Sequence, residues 1–431
     1  MTEGRRVVVT GVGAVAPGVP GAVGAERLWR NLLTGTSAVA PISRFDASGF
    51  PTRIAAEVRG LEEAAAALPA DFTARSRIAR MAALALGEAL AVSRLPEDEA
   101  TRLETGVVLA AGMGTYGHTE VFAPAGRAWA GGAFDAVRFA SDLWPTLEPL
   151  AADRQSPGSL AARLARLHGV KGPVQAVMTA CSAGTQAIGD AFLWIREGRA
   201  DAVLAGGADS EIYPMGLASF CLLGALSTRN AEPERASRPF DASRDGFVLG
   251  EGAAFLVLEE RARALARGAP ILAEVAGFGS ACDAYRVTDP HPDGDGAVLA
   301  MKKALADAGI EPSDVGWVNA HGTSTRANDR IEAAALARVF GARLPRLPVS
   351  STKSMIGHLT VAAGAVEAVA TVLALRDGVL HPTINQETPD PECPLDTVPE
   401  GARRVALEAA ISNSFAFGGQ TACLAFRRAV A

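Results

Sequence analysis

Two stretches decide how this chain folds: VQAVMTACSAGTQAIGDAFLW at residues 174–194 and VSSTKSMIGHLTVAAGAVEAVATVL at residues 349–373. In each, a short β-branched run passes through small residues into an alanine-rich segment with helical spacing, which predicts a strand, a turn and a helix. This self-similarity favours two related α/β halves. We expect the first half to cover residues 1–260 and the second to cover residues 261–431.

The same alternation runs along the rest of the chain and predicts an α/β class. Strand-like runs occupy residues 6–10, 106–110, 202–205, 253–258, 315–318 and 410–413. Segments with helical spacing occupy residues 78–91, 185–196, 296–308 and 361–376. By contrast, residues 116–158 are rich in Ala, Gly, Phe, Trp and Pro with poor periodicity, and we expect them to form an irregular lid or interface.

The composition excludes several classes of protein. A chain of 431 residues, 49% of them hydrophobic, can bury a large core, and a net charge of -6 argues against a nucleic-acid partner. The most apolar helical stretch, 361–375, is shorter than the roughly 20 residues that a membrane span needs and carries Glu367, so we expect a buried core helix and no membrane association. The five scattered cysteines form no Cys-x-x-Cys pair, and the first residues carry no export signal, which favours the reducing cytoplasm.

Cys181 is the candidate nucleophile. It precedes Ser182, Ala183 and Gly184, small residues that permit a sharp turn into the following helix. A thiol at a helix N-terminus is favoured as the thiolate, which is the nucleophilic form. The alternative is a buried structural cysteine.

Two histidines stand at comparable turns. His321 follows the strand-like run 315–318, at the carboxyl end of a strand, where open α/β sheets place their sites. His358 lies in the turn of the second stretch, and we expect it to occupy the position that matches the Cys181 turn. A single such histidine would most often be a hydrogen-bonded loop residue, but a cysteine and two histidines at three turns favour a shared site.

The sequence predicts no metal and no cofactor. None of the six histidines forms a His-x-His or His-x-x-x-His pair, which argues against zinc. Asp293 and Asp295 lack the other ligand positions of a calcium loop and read as a polar turn. The Gly11-Val-Gly13 run resembles a dinucleotide fingerprint, but the next glycine is misplaced and Pro17 interrupts the helix start, so it reads as a tight turn.

Six motifs together resemble the β-ketoacyl-acyl-carrier-protein synthase II family of the thiolase superfamily, over nearly the whole chain. They are Thr-Ala-Cys-Ser-Ala-Gly at 179–184, Arg-Pro-Phe-Asp at 238–241, Gly-Phe-Val-Leu-Gly-Glu-Gly at 246–252, His-Gly-Thr-Ser-Thr at 321–325, Ser-Thr-Lys-Ser-Met-Ile-Gly-His at 351–358 and Asn-Ser-Phe-Ala-Phe-Gly-Gly at 413–419. The resemblance implies a thiolase-like layered αβαβα fold and an acyltransferase that uses no cofactor.

By this resemblance, Cys181 would take an acyl chain from a carrier-protein thioester, and the backbone N–H groups of Cys181 and Phe417 would hold the oxyanion. His321 and His358 would stabilise the enolate that forms when malonyl-carrier protein loses carbon dioxide. That carbanion would attack the acyl-cysteine and give a 3-oxoacyl thioester two carbons longer, in fatty acid or type II polyketide or polyene biosynthesis.

The resemblance also implies supporting roles. Lys353 would set the electrostatics of the site through a carboxylate, with Glu332 as the family-matched partner and Asp329 as a second candidate; a structural ion pair is the alternative. Thr323 and Thr325 match positions that hydrogen-bond the pantetheine arm, although such hydroxyls also cap their own backbone.

The acyl pocket and its gate would involve Met113, Phe415 and Phe417, unless these are only core residues. Ala416 replaces a glycine that is usual in the family, and Thr421 replaces an asparagine, so gate motion is expected to differ. These departures favour a specialised polyketide or polyene pathway over ordinary fatty-acid elongation.

The implied partner is an acyl carrier protein, met by Arg75, Arg77 and Arg80 at the start of a helix, although a solvated face is the usual reading of such a run. The chain is expected to dimerise with itself or with a homologue that acts as a chain-length factor. The alternative function is such a partner subunit without elongation activity, and Cys181 argues against it. A degradative thiolase would need a second catalytic cysteine, and the context of Cys423 does not fit.

Overall fold

The computed structural model describes residues 4–18, 23–73, 76–112, 118–130, 132–146 and 156–429. The strands are β1 (Val7–Val15), β2 (Val39–Pro41), β3 (Ile54–Ala56), β4 (Thr105–Ala111), β5 (Trp129–Ala130), β6 (Ala133–Phe134), β7 (Val174–Val177), β8 (Ala202–Ser210), β9 (Glu251–Glu260), β10 (Ala273–Cys282), β11 (Trp317–Asn319), β12 (Val349–Ser350), β13 (Val379–Leu380), β14 (Arg403–Arg404), β15 (Ala409–Phe415) and β16 (Gln420–Arg428). The α-helices are α1 (Ala25–Thr34), α2 (Leu61–Ala65), α3 (Ala70–Thr73), α4 (Arg77–Ser93), α5 (Glu99–Glu104), α6 (His118–Ala128), α7 (Ala136–Leu143), α8 (Pro157–Leu167), α9 (Ala183–Arg196), α10 (Pro214–Leu222), α11 (Arg261–Ala266), α12 (Asp295–Ala308), α13 (Arg326–Phe340), α14 (Lys353–Ile356) and α15 (Ala363–Asp377).

The largest sheet has ten strands in the order β12-β11-β15-β16-β10-β1-β9-β8-β4-β7. β1 and β10 pair antiparallel at its centre. Outward from this pair, both sides have the same pattern: two further antiparallel pairings, then two parallel pairings. Residues up to Glu260 supply all the strands on the β1 side of the sheet, and residues from Ala273 onward supply all the strands on the β10 side.

The helices form layers around this sheet. α9 contacts β4 and β8 as well as β10 and β16, and α15 contacts β9 as well as β15, so both lie between the two sides of the sheet. α4 packs on the outer face of β1 and β9, while α12 packs on β10 and β16. The resulting αβαβα layers confirm the predicted fold class.

Helix α15 is buried along its length, because apolar residues occupy all of its faces. Glu367 is its only buried charged residue. This is the core helix predicted for residues 361–375. Within the described ranges, every helix is too short or too polar to cross a bilayer.

The prediction of an irregular segment over residues 116–158 is wrong for much of its described part. α6 and α7 lie there, joined by the β5–β6 hairpin. The side chain of Asp135 caps α7 by accepting the N–H of Arg138 at 2.9 Å, and Arg127 in α6 donates to Asp142 in α7 at 2.8 Å. Local capping and pairing therefore form helices that composition did not indicate.

Candidate active site

Cys181 lies in a helical turn, Ala180–Ser182, between β7 and α9. Ala180 has φ +48°, in the left-handed region that residues with a Cβ seldom adopt. The Ser182 hydroxyl stabilises the turn by donating to the carbonyl of Thr179 at 2.8 Å. The turn presents Cys181 to a cavity of about 350 Å³.

A second turn of the same shape, Thr360–Ala362, precedes α15, and Thr360 has φ +47°. α9 and α15 cross at glycines, since a Cβ on Gly364 would lie 2.7 Å from the backbone nitrogen of Thr185. The residue that matches Cys181 in this second turn is therefore Val361. The expectation that His358 occupies the matching position is corrected.

His358 instead lies just before that turn, in extended backbone. Its N–H donates to the carbonyl of Val248 at 2.7 Å, and its carbonyl accepts the N–H of Gly250 at 2.9 Å. Its ring stacks edge-on against Phe247, with ring centroids 5.2 Å apart. The backbone pairing and the aromatic contact hold the imidazole in one orientation.

His321 follows β11, at the carboxyl end of the strand, as predicted from the sequence. The rings of His321 and His358 are nearly perpendicular, with centroids 5.3 Å apart. Both line the same cavity as Cys181. The structure therefore brings the three predicted residues together, although they lie far apart in the chain.

Both histidines are neutral near pH 7. Burial, followed by the charge of Lys353, lowers the pKa of His321 and the pKa of His358 well below the ordinary value. Lys353 Nζ lies 3.5 Å from His321 Nδ1. Because an ammonium group only donates, Nδ1 must accept, and the hydrogen of the neutral ring is on Nε2. His321 thus has a donor free for a substrate oxygen.

The partner of Lys353 is Glu367, which corrects the assignment of Glu332 to that role. Lys353 Nζ is ion-paired with Glu367 Oε1, and both side chains are buried. Glu332 accepts the N–H groups of His321 at 2.9 Å and Gly322 at 2.8 Å, so it holds the loop that carries His321. Glu367, the only buried charged residue of α15, therefore reaches Lys353 at the start of α14.

Asp329, the second candidate partner of Lys353, also binds elsewhere. It accepts the N–H of Phe240 at 2.8 Å and that of Ser324 at 3.2 Å, and it lies 3.6 Å from the guanidinium of Arg244. The two carboxylates of α13 therefore both stabilise the loop before that helix.

The surroundings of Cys181 act on its thiol in two opposite directions. Burial raises the pKa of this thiol to about 12, while the nearby charge of Lys353 acts in the opposite direction. Burial of the thiol thus opposes the preference for the thiolate that is expected at a helix N-terminus.

Hydroxyl and aromatic groups complete the wall of the cavity. Thr323 and Thr325 line it, with their Oγ1 atoms 2.9 Å apart, and Thr325 also caps α13 by accepting the N–H of Asn328 at 3.3 Å. Phe415 lies against His321, with ring centroids 5.6 Å apart, and Phe417 lines the same cavity.

The arginines proposed for docking differ in their surroundings. Arg77 donates to both carboxylate oxygens of buried Glu251, at 2.7–2.9 Å, so its charge is engaged inside the protein. Arg80 pairs with Glu62. Arg75 and Met113 lie outside the described residues. Arg77 is therefore corrected from a docking charge to an internal ion pair.

Sequence reasoning missed Asp209. This buried carboxylate accepts the N–H of Val361 at 3.0 Å and the hydroxyl of Thr360, so it holds the second turn. It lies at the carboxyl end of β8, the same kind of position that singled out His321, and that signal could have found it.

Comparison with known proteins agrees with this geometry. Residues 4–264 match the model of the β-ketoacyl synthase N-terminal domain, and residues 272–387 match that of the C-terminal domain. The chain is 42% identical to a 3-oxoacyl-[acyl-carrier-protein] synthase 2 of Coxiella burnetii, over 99% of both chains. The chain is therefore a condensing enzyme of the β-ketoacyl synthase family.

Solved structures share the thiolase-like fold. The ishigamide ketosynthase/chain length factor has a TM-score of 0.85 at 35% identity, covering 99% of this chain and 100% of that one. A type II polyketide synthase ketosynthase, solved in complex with its acyl-carrier protein and bound to the hexaketide, has a TM-score of 0.85 at 32% identity, with the same coverage.

Proposed function

We propose that this enzyme catalyses decarboxylative condensation of malonyl-acyl-carrier protein with an acyl chain held on Cys181, giving a 3-oxoacyl-carrier protein. One observation supports this above all: a thiol and two neutral imidazoles, on three separate loops, line a single cavity. Such a set suits acyl transfer followed by enolate stabilisation.

In the first half-reaction, Cys181 Sγ attacks the thioester carbonyl, the new C–S bond forms, and the carrier's pantetheine thiol leaves with the proton of the cysteine. The backbone N–H groups of Cys181 and Phe417 hold the oxyanion. Thr323 and Thr325 hydrogen-bond the pantetheine arm, which the position of both residues in the cavity wall supports.

In the second half-reaction, His321 and His358 donate hydrogen bonds to the thioester oxygen of malonyl-carrier protein. Carbon dioxide leaves, and the resulting carbanion attacks the acyl-cysteine, which releases Cys181. Neutral rings suit this step, because a neutral imidazole donates a hydrogen bond without having to surrender a proton. Lys353 orients the His321 ring from its Nδ1 side, and Glu332 holds the loop that carries His321.

The acyl chain is proposed to enter beside Met113, with Phe415 and Phe417 as the gate. Phe417 supports this assignment because it lines both the cavity of Cys181 and a second cavity next to it. Ala416, between the two phenylalanines, is expected to restrict the gate relative to a glycine.

An acyl carrier protein is the proposed partner, and one of the similar ketosynthases binds its carrier in the solved complex. We place this enzyme in the cytoplasm and expect a dimer, formed with itself or with a chain-length-factor homologue. The exposed apolar side chains support a dimer. Val174 lies in β7, the outermost strand at one edge of the sheet, and Val174, Met178, Trp129 and Trp144 all expose large apolar surfaces.

We also propose that the two halves, 1–260 and 261–431, are duplicated units, because the strands of each half follow the same order in the sheet.

Intact-protein mass spectrometry after incubation with acyl-carrier-protein thioesters tests this proposal. We expect one acyl group on the enzyme and none on Cys181→Ala, while the variant still decarboxylates malonyl-carrier protein. His321→Ala and His358→Ala should lose decarboxylation. Absence of any adduct would favour the alternative, a chain-length-factor-like subunit, and normal elongation by both histidine variants would overturn their assigned roles.

A further inference from the structure

A second cavity, of about 440 Å³, lies across Phe417 from the cavity of Cys181. Its lining includes Thr179, Ala180, Glu211, Tyr213, Phe417 and Gln420. Thr179 and Ala180 directly precede the nucleophile, so an acyl chain bound to Cys181 has this cavity beside it.

Four polar side chains lie in this wall, Thr179, Glu211, Tyr213 and Gln420, and two of them, Glu211 and Tyr213, are ionisable. Glu211 follows directly on the end of β8, and Tyr213 precedes the first residue of α10. The two side chains are neighbours in the wall, because both approach the same residue of α10, Gly216. A saturated acyl chain has no group that could pair with either side chain.

The fold accommodates this pair through close packing at Gly216. A Cβ there would lie 2.8 Å from Glu211 Oε2 and 2.8 Å from Tyr213 Cε1. Real Cβ atoms do not come this close to other atoms, so the glycine lets both side chains lie against α10. The pair is thus held in the wall by its neighbours.

Burial, followed by the charge of Asp209, raises the pKa of Glu211 to about 8. Burial also raises the pKa of Tyr213 above its ordinary value. Near pH 7 the pair is mainly a carboxylic acid and a phenol. Each group then carries an O–H donor, and such a donor is costly to leave unpaired when a bound acyl chain displaces water from it.

Asp209 does not compete for this role. Its carboxylate already accepts the N–H groups of Val361 at 3.0 Å and Ser210 at 2.9 Å, together with the hydroxyl of Thr360. Gln420 Nε2 is directed to Cys282 Sγ, at 3.5 Å. Glu211 and Tyr213 are therefore the polar groups of this wall that suit an oxygen atom on a bound chain.

We propose that the second cavity holds the acyl chain of the Cys181 thioester, an inference that rests on the proposed function. Within this cavity, Glu211 and Tyr213 select chains that bear a hydroxyl or keto oxygen over saturated chains of equal length. A site built to hydrogen-bond a substrate oxygen discriminates against the analogue that lacks it, because its own polar groups are then left unpaired. Glu211 and Tyr213 are thus specificity-determining residues for acylation.

Competition between matched thioesters tests this inference. The full-length enzyme is offered octanoyl pantetheine together with an octanoyl pantetheine that carries one hydroxyl or one keto oxygen at carbon 3, 5 or 7. Mass spectrometry then separates the two acyl-enzymes by the mass of the oxygen function. We expect at least one oxygenated chain to acylate Cys181 about tenfold faster than the saturated chain, as one hydrogen bond of about 1.4 kcal/mol would give.

Substitutions at Glu211 and Tyr213 test whether these two residues cause the preference for oxygenated chains. Glu211→Leu and Tyr213→Phe should each bring the ratio of rates close to one, whereas Glu211→Gln, which keeps a donor of similar size, should retain part of it. Ser219→Ala, on the exposed side of α10, is the matched control and should leave the ratio unchanged. Circular dichroism of each variant checks that it is folded, and Glu211→Gln supplies a second reading if the leucine variant unfolds.

The outcomes separate the two proposals. If the saturated chain acylates Cys181 at least as fast as every oxygenated chain, or if the variants keep the wild-type ratio, the inference is overturned while the proposed function stands. If no chain acylates Cys181, the proposed function fails and the inference fails with it. The hydroxyl and keto arms show which oxygen function the pair prefers.

Discussion

The pairing of Lys353 with Glu367 gives the sharpest test of the active-site architecture. Both side chains are almost fully buried, at 1% and 2% exposure, and they form an ion pair. Removing one member of such a pair leaves an uncompensated charge in the core, which costs about 3–5 kcal/mol. We therefore expect Glu367→Gln to lower the free energy of unfolding by about 3 kcal/mol or more.

A double-mutant cycle distinguishes the structural partner from the one that the sequence suggested. Lys353→Met, Glu367→Gln and the double variant are compared by urea denaturation at one pH and one protein concentration. We expect a coupling energy of about 2 kcal/mol or more, since the methionine removes the charge that Glu367 would otherwise neutralise. A parallel cycle with Glu332→Gln should couple by less than about 1 kcal/mol, because Glu332 binds backbone N–H groups.

The same variants report on function through His321. Without the ammonium at its Nδ1, the ring of His321 is free to carry its hydrogen on either nitrogen, so Lys353→Met should slow malonyl decarboxylation. Strong coupling of Lys353 to Glu332 together with weak coupling to Glu367 would refute the pairing and the reasoning built on it.

Three further predictions concern packing, pH and docking. Gly364→Ala should destabilise the protein by about 1–3 kcal/mol in urea denaturation, because its Cβ would lie 2.7 Å from the backbone nitrogen of Thr185. The control is Gly87→Ala, in a helix and with nothing within 4 Å, which should be neutral or stabilising by up to about 1 kcal/mol. Equal losses of stability in the two variants would contradict the close crossing of α9 and α15. A histidine with a lowered pKa stays neutral as the pH falls through 6.5, so malonyl decarboxylation should remain level from pH 8 to pH 6; a tenfold loss centred near pH 6.5 would show that the rings titrate normally. Arg77→Met should cost about 1.5–3 kcal/mol of stability, because buried Glu251 loses the hydrogen bonds of one of its two arginine partners and keeps Arg44, at 3.2 Å. Unchanged stability with weaker, salt-sensitive carrier binding would restore the docking role.

Much of the site could be predicted from sequence because its residues follow short strands directly. Cys181 and His321 each come just after the end of a strand, where α/β sheets place their sites. Their strands, β7 and β11, lie toward opposite ends of the ten-stranded sheet, so the packing of its two sides brings both residues to one cavity. The strands β10 and β16 were not predicted. In β10, Gly277 and Gly279 interrupt the β-branched pattern, and they are there because a Cβ on either would lie within 2.4 Å of a backbone oxygen of α12.

The sequence by itself determined the α/β class and indicated that Cys181, His321 and His358 share one site, since each of these inferences depends on a local pattern of strand, turn and helix. Only the tertiary structure decided that Glu367 rather than Glu332 pairs with Lys353, that Glu251 withdraws Arg77 from the surface, and that burial raises the pKa of the Cys181 thiol. These features depend on which distant elements pack against one another and on how much water they exclude, and neither quantity is encoded in the spacing of neighbouring residues.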